Sequence, residues 1–249
     1  MRVYVRQNAS TGKIGCLPLI FGTAMNLEQA RFNMIEQQIR PWDVLDAHVL
    51  DLLSVVKRED FVPAVHRALA FADMEIPLRD EEKAIALGQV MLAPRVEARM
   101  LQDLNVQKHE KVLEIGTGSG FMAALLGHRA QRVLTLEIDS ELAATAHANL
   151  QRAGVMNAEV RVADGASTNF SADGPFDVIV LSGSVAQLPS ALLELLKPGG
   201  RLMTIVGDEP MMRATLVRRA EGGNLITTQP WDVIAPRLLH FPEPSRFSF

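Results

Sequence analysis

Val112-Leu113-Glu114-Ile115-Gly116-Thr117-Gly118-Ser119-Gly120 decides the fold. A short apolar run carrying one carboxylate passes straight into a turn with glycine at every second position. A helix-forming segment, Phe121–Ala130, follows at once. Strand, glycine turn and helix in that order form the first unit of a doubly wound α/β sheet, which places its ligand outside the carboxyl ends of the strands. The rhythm continues downstream. Arg132–Ile138, Glu159–Ala163, Phe176–Leu181 and Arg201–Val206 read as strands, and Ser140–Ala153 and Pro189–Leu196 as helices. Lys197-Pro198-Gly199-Gly200 reads as the turn that feeds the last of these strands. Short apolar strands alternating with helices predict a parallel sheet covered on both faces. The tail changes register: Thr215–Arg219 and Leu225–Thr228 flank Glu221-Gly222-Gly223-Asn224 and predict an antiparallel hairpin.

Toward the N-terminus, Leu27, Ala30, Met34, Ile35 and Ile39 recur at helical spacing until Pro41. A second helix carries Val44, Leu45, Val49, Leu52, Leu53 and Val56. An irregular stretch then runs to Gly88-Gln89-Val90-Met91-Leu92-Ala93-Pro94, and a third helix follows Pro94. Residues 1–24 hold Arg2, Arg6 and Lys13 ahead of the apolar run Ile14–Phe21. That run is eight residues long and is broken by Gly15 and Pro18, far short of a membrane span. They read as a poorly ordered extension ahead of Met25. The domain reading is therefore extension 1–24, helical segment and loop 25–94, and α/β core 95–249.

The 249 residues are 48% hydrophobic and 22% charged, a globular balance that excludes a disordered chain. With 25 Lys and Arg against 29 Asp and Glu, the net charge of −4 gives no broad basic footprint for nucleic acid or anionic membrane. A lone cysteine, Cys16, forms no intrachain disulfide, which fits a reducing, cytoplasmic setting. The six histidines lack metal-ligand spacing, so no metal site is expected. Trp42 and Trp231 read as packing residues.

The spacing of the turn discriminates among cofactors. A dinucleotide fold uses GxGxxG to seat a pyrophosphate on a helix N-terminus, whereas this loop reads GxGxG with Glu114 just before it. A carboxylate there repels a pyrophosphate and suits a cationic ligand such as the ammonium and sulfonium of S-adenosyl-L-methionine. Glu137, 21 residues after Gly116, stands where ribose hydroxyls need an acceptor. Asp164, with Gly165 after it, is placed to accept from an adenine amino group. The expected cofactor site is Glu114, Gly116, Thr117, Gly118, Gly120, Glu137, Ile138, Asp164 and Gly165.

With these residues in view, the chain resembles the protein-L-isoaspartate (D-aspartate) O-methyltransferases, a family of class I S-adenosylmethionine-dependent methyltransferases. The resemblance covers about Met25 to Leu239. It rests on Met34–Arg40, Val56-Lys57-Arg58-Glu59-Asp60-Phe61-Val62-Pro63, Leu69–Asp73, Gly88–Pro94, Val112–Gly120 and Leu192–Leu202. It implies a Rossmann-like, mostly parallel seven-stranded sheet with helices on both faces, an antiparallel C-terminal hairpin and an N-terminal helical segment. It further implies methylation of the free carboxylate of isoaspartyl residues in damaged proteins, so that the ester collapses to a succinimide and reopens partly as aspartate. Gln89, Val90, Leu92 and Ser182 fall at the substrate positions. The family loop reads Gly-Gln-Thr-Ile-Ser-Gln-Pro, so Val90 and Leu92 stand here in place of two hydroxyl residues. Ser182-Gly183-Ser184 replaces a Thr-Ala-Ala pattern and keeps one hydroxyl. Losing such partners costs on the order of 10²-fold in rate. A different methyl acceptor and a non-catalytic cofactor-binding role are therefore alternatives. A carboxylate nucleophile is already ionised at neutral pH, so no catalytic acid or base is expected. An amine or hydroxyl acceptor would call on Asp73, Glu75 or Ser182.

Overall fold

The computed structural model describes residues 26–167 and 170–244, so the expected extension 1–24 lies outside the described residues. Helix α1 (Leu27–Met34) starts at Asn26, whose side chain accepts from the Gln29 N–H. It runs into a wider π-type turn, Ile35–Ile39, and then a 3₁₀ turn, Arg40–Trp42. The chain reverses at Asp43 (φ +66°), since Pro41 has no N–H to continue a helix. Helix α2 (Ala47–Val55) is capped by Asp46, which accepts from the His48 and Val49 N–H groups.

Next comes a small element that sequence periodicity does not announce. β1 (Ile76–Pro77) pairs antiparallel with β2 (Val90–Met91), enclosing α3 (Glu81–Ala86). Each strand is two residues long, too short for alternation to register. The pairing nevertheless pins the Gly88–Pro94 loop. Pro94 then opens α4 (Pro94–Leu104), as expected of a proline in a first helical turn.

The main sheet comprises β3 (Lys111–Ile115), β4 (Arg132–Glu137), β5 (Ala158–Val162), β6 (Phe176–Val185), β7 (Leu196–Asp208), β8 (Met211–Arg219) and β9 (Leu225–Asp232). Their spatial order is β5-β4-β3-β6-β7-β8-β9, parallel from β5 to β7 and antiparallel beyond. Helices α5 (Phe121–Arg129), α6 (Ser140–Arg152) and α7 (Ser190–Glu194) complete the crossovers. The expected doubly wound class is thus found, with β6 to β9 longer than the sequence predicts. β6 passes Leu181 and pairs again with β7 through Ser184 and Val185 after a register shift. Lys197-Pro198-Gly199-Gly200 is an irregularity inside β7 rather than a turn ahead of it, between the pairs Phe176–Leu196 and Val178–Arg201. The C-terminal hairpin starts earlier and ends later than expected, at Met211 and Asp232.

Period-two alternation divides the core. Val112, Val133, Val178 and Val180 face α1, α2, α4 and α5, in a cluster that extends from Met34 to Ala235. Leu113, Ile115, Leu134, Leu136, Ile179 and Leu181 face the other way, against Phe170, Phe176 and Phe241. Glu114 shares the first face, in register with Thr135 on β4 and Val180 on β6. The two tryptophans pack on α4: Arg95 lies 4.3 Å over the Trp42 ring, and Trp231 Nε1 donates to Asp103 at 2.8 Å.

Candidate functional site

The carboxyl ends of β3, β4 and β6 open on a concave cleft. The glycine turn forms its floor. Gly116 has φ +91° and Gly118 φ +53°, backbone conformations that L side chains rarely adopt. A Cβ at Gly116 would stand 3.0 Å from Leu238 Cδ2, and one at Gly118 3.2 Å from Leu78 Cδ1. The Gly116 and Thr117 N–H groups donate to Leu136 O, which fixes the turn to β4.

Four side chains beneath the turn make one buried network. Thr117 Oγ1 lies 2.6 Å from Thr135 Oγ1. Thr135 donates to Glu114 Oε2, and Ser182 Oγ to Glu114 Oε1, both at 2.7 Å. When Glu114 is ionised the Thr135 proton is committed to it, and Thr117 is then the donor to Thr135. Glu114 is fully buried, and no ion pair reaches it among the described residues. Burial pushes its carboxyl up to about 8, against the Thr135 and Ser182 hydrogen bonds and with the help of Glu97 and Glu137. A carboxyl so placed is poised for a cation that reaches the cleft wall at Ser182.

Of the expected cofactor residues, Gly116, Gly118, Glu137, Ile138, Asp164 and Gly165 line the cleft. Glu114, Thr117 and Gly120 do not: the first two sit in the network below it. Gly120 instead caps α5, and a Cβ there would stand 3.3 Å from Ala146 on α6. Glu137 does more than face the cleft. Its Oε2 accepts from the Gly118 N–H at 2.8 Å and its Oε1 from the Asp139 N–H at 3.1 Å, so it also braces the turn. Burial raises its carboxyl, and those two N–H groups oppose the shift. At Asp164, burial pushes upward but is outweighed by bonds from His240, Ala166 and Ser167, which hold the carboxylate below its usual range.

On the opposite wall, Gln89, Val90 and Ser182 line the cleft, whereas Leu92 does not. Leu92 is buried and faces a smaller inner cavity shared with Glu97, Thr117 and Ser182. The alternation of a two-residue strand turns Val90 and Leu92 away from Met91, but only Val90 reaches the open cleft. Gln89 Nε2 donates to Asp139 at 3.2 Å, while its Oε1 is buried without a partner. The candidate bases Asp73 and Glu75 lie off the cleft, Asp73 in an ion pair with Arg95.

Sequence reading misses the segment after β9. It returns over the cleft beside β6: the Ser184 N–H donates to Pro236 O at 2.7 Å and the Leu238 N–H to Ser184 O at 2.8 Å. Arg237, Leu238, Leu239 and Phe241 thereby join the lining. Ala235-Pro236-Arg237-Leu238-Leu239 carries no period of two or 3.6, so only its apolar content hinted at burial. Among the described residues no group of His, Cys, Asp and Glu is arranged to hold a metal ion, and no helix is long and apolar enough to cross a membrane.

Residues 29–234 match the family model for protein-L-isoaspartate(D-aspartate) O-methyltransferase. A protein-L-isoaspartate O-methyltransferase from Koribacter versatilis is 39% identical over 207 residues, which is 83% of this chain and 88% of the relative. One from Syntrophobacter fumaroxidans is 37% identical over 80% of this chain and 89% of its own length. A solved Plasmodium falciparum structure assigned to the same enzyme class, in complex with S-adenosyl-L-homocysteine, superposes with a TM-score of 0.69 at 19% identity. It covers 86% of this chain and 98% of that one, a likeness of fold.

Proposed function

The chain belongs to the protein-L-isoaspartate(D-aspartate) O-methyltransferase family, and we propose that its cleft binds S-adenosyl-L-methionine and presents the methyl to the free carboxylate of an isoaspartyl residue. It is an S-adenosylmethionine-dependent methyltransferase. When bound, the cofactor supplies an electrophilic methyl on a sulfonium, and transfer to a carboxylate oxygen leaves a thioether and a methyl ester. The observation that carries the reading is the Ser182–Glu114 pair: an uncompensated buried carboxyl, reached through a hydroxyl on the cleft wall.

The residues present fit that cofactor. Gly116 and Gly118 leave room that any Cβ would fill. Glu137 keeps acceptor capacity beyond its two backbone bonds, which suits ribose hydroxyls. Ile138, Asp164, Gly165 and Phe241 bound an apolar slot with one acceptor, suited to an adenine. Glu114 supplies the negative charge that an ammonium calls for. These assignments, and a cytoplasmic setting, are part of the proposal.

The chain's contribution to the chemistry is alignment and exclusion of water. A carboxylate needs no proton removed, so catalysis comes from holding the nucleophile in line and stripping its hydration shell. Val90, Leu238 and Leu239 form apolar wall on the acceptor side. The test is transfer of labelled methyl to a synthetic isoaspartyl peptide, with the aspartyl peptide as control and cofactor binding measured on the same preparation. Base-labile label on the isoaspartyl peptide alone supports the proposal. Cofactor binding without transfer favours the other acceptor or the non-catalytic role, which the hydrocarbon side chains at Val90 and Leu92 keep in contention.

A further inference from the structure

We infer that His240 is a positioning residue for the adenine end of the cofactor: its ring holds the Asp164 carboxylate with one acceptor site left open, which makes the cleft prefer a purine that carries a 6-amino group. The inference rests on the S-adenosylmethionine reading above, in which Asp164 receives that amino group. Asp164 lies two residues past β5 and lines the cleft. His240 belongs to the segment after β9, 76 positions away, and its Nδ1 is 2.8 Å from Asp164 Oδ2. Both chain neighbours of His240, Leu239 and Phe241, line the cleft. The start of this segment is tied to Ser184 through Ala235, Pro236 and Leu238. Beyond Leu238, among the described residues, Glu243 pairs with Arg237 inside the segment, and the His240–Asp164 bond is the polar contact that crosses to another element.

The donors around Asp164 can be counted. Its Oδ1 accepts from the Ala166 N–H at 2.9 Å, and its Oδ2 from Ser167 Oγ at 2.9 Å and from His240 at 2.8 Å. These bonds outweigh burial and keep the carboxyl ionised at neutral pH. An ionised carboxylate only accepts, so His240 carries its proton on Nδ1. Such a group has about four acceptor sites. Oδ2 is therefore filled, and Oδ1 keeps one site for a ligand. A 6-amino group fills that site, whereas a purine with hydrogen in its place leaves a charged acceptor unpaired. Ala166 and Ser167 share a turn with Asp164 and move with it. His240 is the donor that ties the carboxylate to the opposite wall of the slot, where Phe241 is buried.

The backbone at His240 is left-handed, with φ +65°, so the informative replacements are residues that tolerate it: Asn, Asp and Gly. The experiment measures, by calorimetry, the Kd of S-adenosylhomocysteine and of its analogue with hydrogen in place of the 6-amino group. Wild type, His240→Asn, His240→Asp and His240→Gly are compared, with Tm as the check on folding. Wild type is expected to bind S-adenosylhomocysteine about 10- to 100-fold tighter than the analogue, the worth of one hydrogen bond to a charged group. His240→Asn keeps an N–H donor near the place of Nδ1 and should hold that ratio within about twofold. His240→Asp has the same size without the donor and should lower the ratio about tenfold, and His240→Gly about three- to tenfold, a modest loss because the imidazole is 62% exposed. The analogue's Kd should stay within about twofold throughout. A ratio that survives His240→Asp and His240→Gly, or equal losses for both ligands, overturns the inference and leaves Asp164 as the adenine acceptor. Loss of the ratio in His240→Asn as complete as in His240→Gly also overturns it, since the side chain then only fills space. If wild type binds both ligands equally, the adenine assignment of Asp164 falls and takes the inference with it; if wild type binds neither, the cofactor reading itself falls.

Discussion

Ser182 Oγ donates a 2.7 Å hydrogen bond to Glu114 Oε1, linking a hydroxyl on the cleft wall of β6 to a carboxyl buried in β3. The carboxyl takes a second bond from Thr135 and meets no cation, so burial keeps it protonated up to about pH 8 in the cofactor-free protein. A bound ammonium stabilises its ionised form. Glu114→Gln keeps the volume and one acceptor and removes the charge. It is expected to weaken S-adenosylmethionine binding by about 10- to 100-fold, the range of a charge-assisted contact. Calorimetry on the folded variant checks this, and an affinity equal to wild type would take Glu114 out of the site.

The same carboxyl sets a pH dependence of stability. Its folded pKa of about 8 lies above the ordinary glutamate value. Between the two, the native state holds a proton that the unfolded chain has released, so stability falls as pH rises, by up to about 1.4 kcal/mol per pH unit. The Tm of the cofactor-free protein is therefore expected to decline from pH 5.5 to 8, and to decline less in Glu114→Gln. Saturating cofactor should flatten the wild-type slope, because a cation favours the ionised form. Burial raises Glu97 to about 7, and it is present in both proteins, so their difference reports Glu114 together with its coupling to Glu97. Parallel profiles for the two would refute the assignment. Asp139 and Asp177 act on the acid side. Burial raises each, but hydrogen bonds from Leu142 and Arg79, and from Lys197 and Lys111, outweigh it. The stability they contribute is lost as pH falls through their lowered values.

The two hydrocarbon positions in the Gly88–Pro94 loop should respond in opposite ways. Val90 is half-buried on the cleft wall, so Val90→Thr places a hydroxyl beside the acceptor at nearly constant volume. It is expected to raise the rate on isoaspartyl peptide several-fold, the worth of one neutral hydrogen bond. Leu92 is 5% exposed and packed in the core. Leu92→Ser buries a hydroxyl beside a fresh cavity and should cost about 2–5 kcal/mol. Rate assays and urea unfolding on the two single variants separate these effects. A rate gain in Leu92→Ser, or none in Val90→Thr, would reverse the assignment.

The sheet was legible because its signal is local: apolar runs of four to six residues, a glycine turn and helices between. Gly116 and Gly118 were legible for the same reason, since a positive φ leaves a glycine in the sequence. Glu114 could be read as part of a cation site, but not as resting on Thr135 and Ser182. Those contacts follow from the register of β3 with β4 and with the extended end of β6. The burial of Leu92 is not legible, because Gly88–Pro94 gives its order but not the β1–β2 pairing that precedes it. The closing segment from Val233 was missed altogether. Its contacts to Ser184 span some fifty positions, and neither period nor motif marks them. Long-range pairings of irregular backbone leave little trace in a single sequence.

Arg58 extends this dependence on distant contacts to the loop itself. Its side chain is 1% exposed, with Nε donating to Ala70 O at 3.1 Å, Nη2 to Leu92 O at 2.7 Å and Nη1 to Glu97, while the guanidinium sits 5.2 Å from the Phe121 ring centroid. One residue thus ties the turn before Phe61 to the Gly88–Pro94 loop and to α4. Arg58→Met fills the space but strands two carbonyls and Glu97, and should cost about 3–5 kcal/mol. Burial already raises the Glu97 carboxyl against the pull of Arg58. With the guanidinium gone it is neutral over a wider range, so the cost should be smaller at pH 6 than at pH 8. Arg58→Met with Glu97→Gln removes the stranded charge and should recover part of the loss at pH 8. Urea unfolding at both pH values decides it. A single-variant cost below about 1 kcal/mol, or one that does not grow with pH, would mean that the pair does not hold the loop.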